Sequence, residues 1–109
     1  MLKLLVHTDG GARGNPGPAG IGVYIQNADT GEVLEEHAVY LGKTTNNQAE
    51  YRAVIFALER ARLLKADEVE IVTDSELLVK QAQGEYRVKN PDLALRFMEM
   101  KKAAACLKR

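Results

Sequence analysis

A single cysteine, Cys106, rules out any disulfide within the chain and suits a reducing compartment. Long apolar runs are missing as well. The stretch Met1-Leu2-Lys3-Leu4-Leu5-Val6-His7 is too short for a secretion signal. Nothing approaches the ~20 consecutive apolar residues of a membrane span, so a cytoplasmic protein with no membrane partner is expected. Net charge is also absent: 15 Lys and Arg stand against 15 Asp and Glu, and overall charge therefore does not announce a polyanion binder. There is no repeat, linker or low-complexity tract. What remains is an ordinary globular composition, 46% hydrophobic and 28% charged over 109 residues, which reads as one domain, 1–109.

The charge is unevenly spread. From Tyr86 onward come Arg87, Lys89, Arg96, Lys101, Lys102, Lys108 and Arg109 against only Asp92 and Glu99. A basic tail beside an acidic site could contact a polyanion, although charge alone suits a solvated helix face equally well. Leu2 to Thr8 is apolar on both faces and predicts a central strand. Residues 10–20 are dense in Gly and Pro and predict a loop of exposed backbone N–H groups. Gly20–Gln26 and Glu32–Leu41 predict two more strands, joined by a hairpin turn at 27–31, which makes an antiparallel meander. Thr45-Asn46-Asn47-Gln48 has capping-box spacing and opens a helix running to about Lys65, with an apolar stripe of Ala53, Val54, Ala57, Leu58, Ala61 and Leu64. Glu68–Thr73 predicts a fourth strand. A short helix from Ser75 to about Gln83, capped by Asp74 or Ser75, and a last helix after Asn90-Pro91 follow.

Three carboxylates stand at the ends of these elements. Asp9 closes the first strand in Thr8-Asp9-Gly10-Gly11. Glu50 lies about one and a half turns into the capped helix. Asp74 follows the fourth strand in Val72-Thr73-Asp74-Ser75. Each alone has a plain explanation: a turn residue before Gly-Gly, an acid favoured by the helix dipole, a helix cap. Together the topology unites them. A helical crossover can lay the fourth strand parallel to the first, so Asp9 and Asp74 reach the carboxyl ends of adjacent strands, where open α/β sheets build their sites. Converging carboxylates suit Mg²⁺ or Mn²⁺, and two such ions can cleave a phosphodiester without a His, Cys or Lys nucleophile. His7 shares the strand face of Asp9 and is expected to be packed or hydrogen-bonded; His37, mid-strand, is expected to be exposed.

Thr8-Asp9-Gly10-Gly11 with Gly14-Asn15-Pro16-Gly17-Pro18-Ala19-Gly20-Ile21-Gly22, then Thr45-Asn46-Asn47-Gln48-Ala49-Glu50-Tyr51, then Thr73-Asp74-Ser75-Glu76, closely resembles type 1 ribonuclease H. The connector Gly84-Glu85-Tyr86-Arg87-Val88-Lys89-Asn90-Pro91 is similar to that of short members, and the resemblance covers essentially the whole chain. It implies an α/β ribonuclease H-like fold and Mg²⁺-dependent cleavage (Mn²⁺ as an alternative) of the RNA strand of an RNA/DNA hybrid. By motif match Asp9, Glu50 and Asp74 would be the metal ligands, with Asp9 bridging two ions and a water activated there as nucleophile. Gly10, Gly11, Asn15, Thr45, Asn46, Asn47 and Glu76 would face the hybrid. Asn amides and loop N–H groups can read 2′-OH groups and minor-groove edges. Glu76 stands where members often carry Gln, and an acid there would repel phosphate.

Two departures shape the expectations. The family's basic protrusion between the last two helices is replaced by a connector of about eight residues, which implies weak, salt-sensitive hybrid binding. The chain also stops before the family's fifth strand, its His-bearing loop and the helix carrying a fourth metal-binding Asp. A C-terminally shortened domain of reduced activity is expected. Alternatives are a protein that binds hybrid or duplex without turnover and a related DNA nuclease. The fourth strand, left without a neighbour, would present an edge and could support a homodimer.

Overall fold

The computed structural model describes residues 2–73 together with Ser75 and Leu78. Strands β1 (Lys3–Ala12), β2 (Gly17–Asn27) and β3 (Val33–Thr44) lead into helix α1 (Asn46–Leu63), and β4 (Glu68–Thr73) follows. They form one sheet in the order β3-β2-β1-β4, with β1 antiparallel to β2 and parallel to β4. The α/β architecture expected from the sequence, a three-strand meander with a parallel fourth strand, is therefore present. Among the described residues β4 is an edge strand, and Val72 on it is 42% exposed.

The core lies between the sheet and α1. Leu4 and Val6 of β1, Val23 and Ile25 of β2 and Val69 of β4 meet Ala57 and Ala61 of the helix. Ala53, Ala57 and Ala61 recur every four residues on one face of α1 and are all buried, so the helix backbone can lie close to the sheet. The buried face is wider than the stripe read from the sequence, because Tyr51 and Ile55 join it. Burial pushes the Tyr51 phenol up to about 12, since the charged form would lose its water.

Local chemistry accounts for the element ends. In the β2–β3 turn Asn27 Oδ1 accepts from the N–H groups of Asp29 (2.9 Å) and Thr30 (3.2 Å), an Asx-turn. Thr45 caps α1 as expected, its Oγ1 accepting from Gln48 N–H at 3.2 Å. The helix stops at Leu63, two residues before the predicted end. Ala66 N–H donates to Ala61 O at 3.0 Å around Lys65, which adopts φ 60°. This is a Schellman closure with Lys65 in the left-handed position usually held by Gly. Past β4, Ser75 Oγ accepts from Leu78 N–H at 3.1 Å, the bond of a helix cap at one of the two expected cap positions. Asp74, Glu76, the remainder of that short helix, the connector, the last helix and the basic tail lie outside the described residues.

The Gly- and Pro-rich segment 10–20 is not an open loop. β1 continues through Ala12 and β2 starts at Gly17, pairing Gly10 with Ile21, Gly11 with Gly20 and Ala12 with Ala19. Only residues 13–16 turn, with Gly14 at φ 79°. Turn-forming composition suggested a loop because small residues serve two purposes; here most of them let backbone come close to backbone.

Candidate active site

Asp9 is exposed near the end of β1, level with Gly22 of β2. The parallel register of β1 and β4 ends on Thr8 opposite Thr73, each one residue before a site acid in the sequence. Asp74 and Glu76 themselves lie outside the described residues. Glu50 is half-buried in the second turn of α1. Among the described residues neither the Asp9 nor the Glu50 carboxylate takes part in a hydrogen bond or an ion pair. Free carboxylate oxygens are the donor chemistry that hard divalent cations take, so these two residues fit the ions the sequence motifs imply. Among the described residues no three His, Cys, Asp or Glu side chains cluster as a metal site; the third motif acid is Asp74.

The approach of β1 to α1 depends on Gly10. A Cβ at this position would stand 2.5 Å from Ala49 O, 2.6 Å from Ala49 C and 2.8 Å from Glu50 N. Strand backbone therefore rests directly on the helix turn that carries Glu50, and the residues bearing the two carboxylates flank one backbone contact. Side-chain bonds extend the same junction. Asn46, the first residue of α1, accepts from Ala12 N–H through Oδ1 at 2.6 Å and donates its own N–H to Asn15 Oδ1 at 3.1 Å. The β1–β2 hairpin is thus tied to the helix start by two residues expected to face a nucleic acid. Their oxygens are engaged within the protein. An open groove beside the junction is lined by Asp9, Gly11, Arg13, Tyr40 and Asn46, and Tyr40 is 74% exposed. One residue before Asp9, Thr8 Oγ1 is buried with no hydrogen-bond partner among the described residues, a cost of about 1–3 kcal/mol of the kind that sites carry more often than cores.

The two histidines depart from expectation. His7 is exposed on the strand face it shares with Asp9, its ring 6.3 Å from that of Tyr24 at 64°. His37 is not exposed but half-buried, edge-on to Phe56 of α1 with ring centroids 4.9 Å apart. Its Nε2 lies 2.7 Å from Glu35 Oε1, and Arg60 of α1 donates from Nε and Nη2 to the two oxygens of that same carboxylate, both at 2.8 Å. The arginine fork holds the Glu35 carboxyl down at about 2, with His37 assisting. Strand alternation could not reveal this cluster, because its members come from β3 and from the far half of α1.

A family model described as RNase H matches residues 2–106 of the chain. The Mycobacterium tuberculosis protein named Bifunctional protein Rv2228c is 42% identical over 108 residues, covering 99% of this chain and 30% of that protein. A solved structure of its N-terminal RNase H domain, as a fusion with maltose-binding protein, superposes with a TM-score of 0.95 at 41% identity. That match covers 100% of this chain and 78% of the solved one. Ribonuclease HI of Halobacterium salinarum is 45% identical over 91 residues, 84% of this chain and 45% of that protein. LC11-RNase H1, solved in complex with an RNA/DNA hybrid, is 48% identical with a TM-score of 0.86, covering 94% of this chain and 76% of that one. The chain spans about a third to a half of the length of the curated relatives it matches.

Proposed function

The chain belongs to the RNase H family, and from that membership we propose that it is a metal-dependent endonuclease cleaving the RNA strand of RNA/DNA hybrids. The observation that carries the reading is the junction of β1 with α1, where the residues bearing two uncommitted carboxylates, Asp9 and Glu50, flank a single backbone contact. Asp9, Glu50 and Asp74 would hold the divalent ions, Mg²⁺ or Mn²⁺. Two ions bound there would supply activation of a water and stabilisation of the leaving oxygen of a phosphodiester. A hybrid substrate is supported by LC11-RNase H1, a relative solved with one.

The protein's own part is to place the hybrid. Asn15 and Asn46 each have one lone pair of the side-chain oxygen engaged by a backbone N–H group, which fixes the amide and makes its two N–H groups the larger part of what it can offer a ligand. Donors suit the acceptors of a minor groove, a 2′-oxygen or a phosphate. Thr45 Oγ1 accepts within the cap and keeps its own proton to donate. Asn47, Gly10, Gly11 and Glu76 complete the proposed hybrid-facing set. A cytoplasmic location belongs to the same proposal, supported by the lone cysteine; no helix among the described residues is long and apolar enough to cross a membrane. Homodimer formation through the β4 edge is a separate proposal, and a mass by light scattering decides it.

The test is cleavage of a labelled hybrid by the 109-residue chain with Mg²⁺ and with Mn²⁺, beside Asp9→Asn. The variant is expected to lose at least about 100-fold in rate with its fold intact; equal cleavage by both proteins would sink the mechanism. Hybrid binding without turnover at any metal concentration would select a binding protein instead, and equal cleavage of DNA duplex a DNA nuclease.

A further inference from the structure

At the Asp9 end of β1 the contact with α1 is made without a side chain on the strand. Placed at Gly10, a Cβ would lie 2.5 Å from Ala49 O and 2.8 Å from Glu50 N. Both distances are well inside van der Waals contact, and both opposing atoms are helix backbone, which cannot rotate aside as a side-chain tip can. Any residue other than Gly must therefore push the second turn of α1 away from the strand end. Gly22, level with Asp9 on the neighbouring strand, has nothing within 4 Å of such a Cβ. Gly17 and Gly20 also approach backbone, but that of Arg13 and Val39; among the described glycines only Gly10 meets the backbone of α1. Asn46 holds the junction from its other side, through the 2.6 Å bond that Ala12 N–H donates to its Oδ1.

From this geometry we infer that Gly10 is a positioning residue: it touches no reacting group, and it sets the separation of Asp9 and Glu50 by letting strand backbone rest on helix backbone between them. The inference rests on the proposed reading of those two acids as ligands of a divalent ion. An ion shared by ligands on two elements binds only as well as the spacing of those elements allows. Supports behind metal ligands typically govern affinity by about 10- to 100-fold.

Mn²⁺ binding to the substrate-free chain, followed by isothermal titration calorimetry, tests the inference apart from turnover. Gly10→Ala is expected to weaken Mn²⁺ binding by about 10- to 100-fold while thermal unfolding remains cooperative. Gly22→Ala is expected to bind as wild type. Wild-type affinity in a folded Gly10→Ala variant overturns the inference, and so does an equal loss in Gly22→Ala. Should Gly10→Ala not fold, Asn46→Ala decides, since it loosens the same junction without adding an atom: a loss of about tenfold supports positioning and wild-type affinity overturns it. Asp9→Asn separates the two levels of argument. It is expected to lose Mn²⁺ binding, and if it binds as wild type the metal-ligand reading fails, whatever Gly10 does.

Discussion

Acid should remove the stabilisation that one particular joint of this protein provides. Glu35 of β3 receives both nitrogens of the Arg60 fork at 2.8 Å and lies 2.7 Å from His37 Nε2. Its carboxyl is held down from an ordinary 4.5 to about 2, chiefly by the Arg60 hydrogen bonds working against the opposing effect of burial. A carboxyl depressed in the folded state contributes stability that is fully present above its unfolded value and is lost as pH falls through its folded value. The window is therefore between about pH 4.5 and pH 2. The Arg60 side chain is 32% exposed and that of Glu35 16%, so water and salt compete for the pair. We expect its worth to be about 1 kcal/mol, the upper range for pairs of this exposure, and not the larger figure a desolvated pair would carry.

The assay is urea unfolding of wild type, Glu35→Gln, Arg60→Met and the double variant at pH 7, 5 and 3. Other carboxyls titrate over the same range, but they contribute equally to all four proteins and cancel in the cycle. A coupling of about 1 kcal/mol at pH 7 should hold at pH 5 and be mostly lost at pH 3. A coupling near zero at pH 7, or one unchanged down to pH 3, would refute the reasoning. Arg60 lies ten positions beyond Glu50, so the cluster pins the far half of α1 to β3. Its loss should lower stability without changing the metal dependence of cleavage.

Two further outcomes follow from the fold. Thr45→Ala removes the acceptor of Gln48 N–H and should cost about 1 kcal/mol, seen as a fall in Tm of about 4–8 °C for a domain of this size; an unchanged Tm would mean that the cap bond adds nothing. Leu4→Ala empties a core position that is 1% exposed and should cost about 2–5 kcal/mol in urea unfolding, a large part of the ~5–15 kcal/mol typical of a domain.

Much of the fold is legible because several signals agree at each element. Thr45 followed three residues later by Gln48, with apolar residues then recurring at helical spacing, marks the start of α1 at the observed residue. Alternation and apolar runs find all four strands and their order. The readings fail where one residue type answers two needs. Gly and Pro in 10–20 suggested a loop, yet the strands run through most of it, because the same small residues permit close backbone packing. Helical spacing carries on to about Lys65, two residues past the observed end, since Lys65, not Gly, takes the left-handed position and composition carries no stop signal there. Tyr51 and Ile55 lie beside the apolar stripe and not on it, and only the packed helix shows that its buried face reaches them. Strand position alone puts His37 in solvent, because Phe56, against which it packs, and Arg60, which shares Glu35 with it, come from a helix whose packing on β3 no local pattern discloses.

The site divides along the same line. The motifs around the candidate ligands Asp9, Glu50 and Asp74 stand out in the sequence before any coordinates. What holds them does not. Gly10 read as part of a loop that exposes its backbone, and only the position of Ala49 O, 39 residues away in the chain, shows that a side chain there has no room. Asn15 and Asn46 read as groups reaching outward, yet each first satisfies a backbone N–H of its own protein. That internal bond has a consequence for recognition. An asparagine free to rotate can turn either end to a ligand, whereas one whose oxygen is held by a backbone N–H has its NH₂ end fixed in direction and only one lone pair left to accept. The arrangement favours ligands rich in acceptors, and it does so before any ligand arrives, at the junction whose spacing governs the two acids.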